Sequence, residues 1–216
     1  MSQSKSVIRL TAASGMAGTL ALAAYFAAPA FLDWPFGGAS PARLSAYAVD
    51  HQVLFYAGAW LQSTGTLLCV IFFLALVRMT GAAGGLSATL VIVSAASLLS
   101  IVLVESAFMV AVPMAASAGD TSTVATSFAL SNGVFVRIFP LAPSSATYIA
   151  LGLALLSRGP LHRGFGYAAI TIGAAFELGG IVAIFSSLAL VVLAVLAAGQ
   201  ALWVAAAAVA LWRSAP

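Results

Sequence analysis

Residues 128–148 read FALSNGVFVRIFPLAPSSATY, and the fold turns on this stretch. It carries Asn132, Arg137, Pro140 and Pro143 inside a run otherwise apolar enough to lie in a bilayer. As one straight helix at ~1.5 Å per residue, the surrounding element, residues 123–156, would reach ~51 Å. A hydrocarbon core is only ~30 Å thick. Neither proline offers an N–H to the helix ladder, so the span is predicted to kink or break at Pro140 and Pro143. The carbonyls of Val136 and Phe139, left without those donors, need another partner.

The rest of the chain has the same character. Of its 216 residues, 63% are hydrophobic and 6% charged, and the mean hydropathy is +1.14. Soluble domains carry about 25% charged residues, so this chain cannot cover itself with a water-compatible surface. Its apolar runs are long and unbroken rather than alternating with period two, which excludes a membrane barrel. The fold class is therefore all-α: a six-helix transmembrane bundle forming one domain over residues 1–216. The spans are predicted at about 10–32, 51–77, 86–112, 123–156, 164–185 and 188–212. The first run exceeds the ~7–15 apolar residues of a signal peptide and reads as a retained span. Residues 33–50 form a loop closing in a short amphipathic piece. Gly81, Gly84 and Gly85 make a turn, Pro113 ends the third span, and Ser186-Ser187 separates the last two.

Charge orients the bundle. With the N-terminus in the cytoplasm, Lys5, Arg9, Arg78, Arg158, Arg163 and Arg213 all fall inside, six of the eight basic residues. This satisfies the positive-inside rule and puts both termini in the cytoplasm. Asp33, Asp50 and Asp120 fall outside. Arg137, Glu105 and Glu177 remain within spans. A charge there costs at least ~2.5–3.5 kcal/mol on insertion scales, so it normally faces the interior and finds a partner. The expectation is a triad, one arginine between two carboxylates, in the outer half of the bundle.

Helical faces support that grouping. At 100° per residue, Ser87, Ser94 and Glu105 fall together with Ser97 adjacent, a stripe expected to face protein. Gly166, Gly173 and Gly180 repeat every seven residues with Glu177 on their side, and small residues let a neighbouring helix approach. His51, Gly58, Gln62 and Cys69 share a face of the second span. The candidate ligand-binding set is thus Arg137, Glu105, Glu177, Asn132, His51 and Gln62.

Several chemistries are excluded. No span holds a lysine for a retinal Schiff base, and His51 and His162 fall at opposite membrane faces, too far apart for bis-histidine haem. No GxSxG, HExxH or P-loop pattern occurs. A lone cysteine cannot form an internal disulfide, and no ligand pair at i, i+3 or i, i+4 marks a metal site. The sequence leaves any cofactor and any catalytic residue unknown, and its scattered basic residues do not point to nucleic acid.

Residues 150–178, ALGLALLSRGPLHRGFGYAAITIGAAFEL, resemble a bacterial six-span membrane-protein family of unknown function. In that family a span ends in a loop of the type SG-x-hydrophobic-PR-x-hydrophobic-G and the next begins at once. Ser157 to Gly166 is similar but places Pro160 before Leu161, with His162 where the family has its proline. The resemblance implies a six-helix bacterial inner-membrane protein and carries no activity. Three functions fit the residues. The first is a small-molecule binding or transport protein, proton-linked through Glu105 or Glu177, with Arg137 as anion contact. The second is an accessory subunit of a membrane complex that contacts lipids and other subunits. The third is an intramembrane enzyme using Glu105 or Glu177 with His51.

Overall fold

A span in hydrocarbon must satisfy its own backbone polar groups, and every apolar run here does so as helix. The computed structural model describes residues 5–31, 34–35, 39–81, 85–185 and 189–215. The helices are α1 (Lys5–Phe31), α2 (Pro41–Asp50), α3 (Gln52–Met79), α4 (Leu86–Ser117), α5 (Thr121–Gly133), α6 (Ser145–Arg158), α7 (Arg163–Phe185) and α8 (Ala189–Ser214). Among the described residues six stretches are long and apolar enough to cross a membrane, with α5 and α6 sharing one of them. The protein is an all-α, six-span integral membrane bundle. Asp33, Gly84, Ser186 and Ser187 lie outside the described residues.

One boundary is corrected. Pro113 does not end the third span, because α4 continues through it to Ser117.

The spans pack in chain order and close a ring: α1 on α3, α3 on α4, α4 on α5 and α6, α6 on α7, α7 on α8, and α8 back on α1. Both chain ends lie on one face, the terminal face, where the Arg9 guanidinium sits 5.5 Å from the Trp212 ring centre. The amphipathic α2 lies at the opposite face. Ser40 caps it, its hydroxyl accepting from Arg43 N at 3.3 Å, and its buried Leu44 and Ala48 join Val124 and Phe128 in one cluster.

Between α5 and α6 the helix changes register instead of breaking. Phe139 N donates to Val134 O at 2.9 Å and Ser144 N to Phe139 O at 3.3 Å, both five residues back, so two π-helical turns fill residues 134–144. The Phe139 carbonyl that Pro143 cannot serve is taken by Ser144 one residue later. Wide turns of this kind often mark functional sites.

The glycine stripe of α7 does what its spacing predicts. A Cβ at Gly173 would stand 2.8 Å from Ser145 O and 2.9 Å from Ile149 N, so only glycine permits this helix separation. On the terminal side of the ring, Phe73, Tyr148 and Trp203 pack edge-on or tilted, 5.5 Å and 5.6 Å apart in sequence along the chain of rings. The Trp203 indole donates to Phe165 O at 3.0 Å and ties α8 to α7. This half is filled; the half toward α2 is not.

Candidate functional site beside Glu105

The α4 stripe behaves only partly as its spacing predicts. Ser94 and Glu105 are buried, but Ser97 is exposed and Ser87 half-buried. Ser97 Oγ donates to Val93 O at 2.9 Å and Ser100 Oγ to Ala96 O at 2.9 Å. A hydroxyl satisfied by its own helix carries little penalty on a lipid-facing surface, so serine spacing overstates the protein-facing arc.

Glu105 is 2% exposed and is met from α3. The Gln62 side-chain amide donates to Glu105 Oε2 at 2.7 Å. Ser106 Oγ donates to Gln62 Oε1 at 3.4 Å, and Ser63 Oγ to Ser106 Oγ at 2.9 Å. The result is a short polar chain across the α3–α4 seam. From α1, the Tyr25 hydroxyl stands beside the same carboxyl and donates to Met109 Sδ at 3.4 Å.

The carboxyl forms part of the wall of a cavity of about 260 Å³ in the α2-side half of the ring. Tyr25, Phe26, Trp34 and Phe135 supply aromatic surface, and Asn132 and Ser131 supply the polar groups of α5. Asn132 donates one N–H to Phe128 O at 3.1 Å, leaving the rest of its amide uncommitted. Among the described residues, no arginine, lysine or histidine lines the cavity. Below it, toward the terminal face, a second cavity of about 30 Å³ is lined by Gln62, Thr66, Cys69 and Gln200. That is room for about one or two waters. The Gln200 carbonyl oxygen there is buried without a hydrogen-bond partner. Phe26 and Phe135 line both cavities, with ring centres 5.7 Å apart.

No family model, curated protein or solved structure matches this chain.

The residues predicted from sequence divide between this cavity and other places. Glu105 and Asn132 line it, and Gln62 holds the carboxyl from behind. The expected Arg137–Glu105–Glu177 triad is not assembled. Arg137 is exposed: it stands at span depth as expected but faces away from the other two. Glu177 is half-buried in a separate groove with Leu90, Ser145 and Leu153 between α4, α6 and α7. His51 sits at the α2–α3 junction, Nδ1 3.1 Å from Tyr47 O and its ring stacked on Tyr47 at 4.2 Å. It precedes Gln62 by eleven residues, ~16 Å of helix rise, and lines neither cavity. Among the described residues no three His, Cys, Asp or Glu side chains cluster as metal ligands.

Sequence reasoning missed Tyr25, Trp34 and Phe135. Aromatic residues along the spans read as lipid-facing or as interface belt, and only the ring order of the helices turns these three toward a common space. Among the described residues the arrangement has one carboxyl, fixed by an amide, facing an aromatic chamber without a basic partner. It can accept a hydrogen bond or a positive charge from a molecule lodged there, and it can carry a proton.

Proposed function

We propose that this membrane protein binds a small molecule in the chamber beside Glu105, with Asn132 as a second polar contact and the aromatic walls holding the apolar part. The observation carrying this reading is a buried carboxyl facing a cavity rather than a cation. An intramembrane ionisable residue is expensive to keep and is by default functional. At about 260 Å³ the chamber falls just below the ~300–1,000 Å³ usual for ligand pockets, so the ligand is small. Proton-linked transport is the natural extension, with Glu105 as the proton carrier.

The chain ends support the orientation given by charge. Lys5, Arg78, Arg158, Arg163 and Arg213 stand at helix ends of the terminal face, so both termini are assigned to the cytoplasm. The resemblance of residues 150–178 supports a bacterial inner membrane.

Arg137 favours a second reading. It is exposed near the middle of a span, a costly place for a charge without a partner. A neighbouring subunit carrying a carboxylate would relieve that cost and make this chain part of a complex.

Native mass spectrometry from mild detergent tests both readings. A bound small mass that disappears when Ala57→Trp fills the chamber is the expected result. A bare chain for both proteins counts against binding, and a stoichiometric partner protein lost in Arg137→Leu favours the second reading.

A further inference from the structure

Resting on the chamber reading, we propose that its ligand is a small lipophilic organic cation, which exchanges with a proton on Glu105. A buried carboxylate is tolerated only when its charge is compensated. Here the compensation comes from no side chain: α3 offers Gln62 and Ser63, α5 offers Ser131 and Asn132, and α4 itself offers Ser106 and Met109. None of these titrates. Tyr25 from α1 is the other titratable group facing the carboxyl among the described residues, and it supplies no positive charge. The compensating positive charge therefore comes from outside, as a proton or as a cationic ligand.

The walls select between ligand classes. Tyr25, Phe26, Trp34 and Phe135 surround the space next to the carboxyl, and ring faces attract ammonium groups, most strongly when water is excluded. An anionic ligand would meet Glu105 with no basic residue to offset the repulsion. A sugar or other polyol would find only Asn132, Ser131 and the carboxyl for many hydroxyls. An organic ammonium with one apolar arm satisfies both kinds of wall at once. Proton and cation compete for the same oxygens, so binding of the cation releases the proton that occupied the site.

A matched pair of probes makes the test. Benzyltrimethylammonium and its neutral carbon isostere neopentylbenzene have nearly the same shape and differ in charge, and neither titrates. Their binding to the purified full-length protein in detergent is followed by calorimetry or tryptophan fluorescence, each corrected for uptake by protein-free micelles. The expected result is about tenfold or greater preference for the cation, weakening as the solution is made acidic. In Glu105→Gln, which keeps the shape and can still accept from Gln62, that preference disappears while the neutral probe still binds.

Equal affinity for the two probes overturns the cation assignment and leaves the chamber reading intact. Binding of neither probe overturns the chamber reading itself. A cation preference that survives in Glu105→Gln removes Glu105 as the contact, and one that ignores pH removes the exchange. Should Glu105→Gln fail to fold, the wild-type comparison of the two probes across pH still decides the proposal.

Discussion

Replacing Glu105 by leucine separates a functional carboxyl from a structural one. A charged side chain at span depth costs ~2.5–3.5 kcal/mol, and leucine there is mildly favourable. Against that gain stands the buried Gln62 amide, left without the acceptor it reaches at 2.7 Å, at a cost of ~1–3 kcal/mol. The balance is a stabilisation of about 0–3 kcal/mol for Glu105→Leu. Gln62→Leu acts in the opposite direction, because it leaves the carboxyl buried without its donor at a cost of ~1.5–3 kcal/mol. The double variant removes both members and should recover at least the stability of wild type. Reversible unfolding in mixed micelles of rising dodecyl sulfate content measures all four proteins in one cycle. Destabilisation of Glu105→Leu by more than ~1 kcal/mol would show that the carboxyl holds helices together rather than being kept for a ligand.

Two further outcomes follow from the fold. Gly173→Ala and Gly133→Ala share the same helix-propensity gain of ~1 kcal/mol, but a Cβ at 173 stands 2.8 Å from Ser145 O whereas nothing lies within 4 Å at 133. Their difference isolates α6–α7 packing and should be about 1–3 kcal/mol; equal stabilities in the same micelle assay would show that the two helices are not in backbone contact. Asp120 caps α5, accepting from the Thr123 hydroxyl at 2.6 Å and from Thr123 N at 3.0 Å, which together hold its carboxyl below the usual range. A lowered folded value means that the cap's contribution is present above the unfolded carboxylate range and fades as pH falls through the folded value. Melting temperatures of wild type and Asp120→Ala should therefore converge in acid, and a gap that persists there would contradict the cap.

The architecture was legible because bilayer physics leaves few choices. Runs of about 20 apolar residues, basic residues at alternate ends and a proline pair in an overlong span dictate six helices with one irregular. The α7 glycine stripe was legible for the same reason, since period seven on a helix is a face. The site was legible only in part. Glu105 and Gln62 lie in regular helices, where spacing gives direction, and they do meet. Arg137 lies in residues 134–144, where five-residue hydrogen bonds replace four-residue ones; its depth in the span was legible, but the side it faces was not. Glu177 sits on the glycine side of α7, but that face packs on α6 and not on the ring's centre. Which helix borders which is set by long-range packing, and no periodicity encodes it.

Cysteine labelling reads directly whether the space beside Glu105 is an accessible chamber within the membrane. Cys69 is the single native cysteine and is buried, so Cys69→Ala gives a silent background for Asn132→Cys. A small water-soluble thiol reagent is applied to the protein in sealed vesicles, with and without Ala57→Trp. Modification at position 132 that Ala57→Trp suppresses is the expected result. An unreactive thiol at position 132, or one whose labelling ignores the filled chamber, would contradict it.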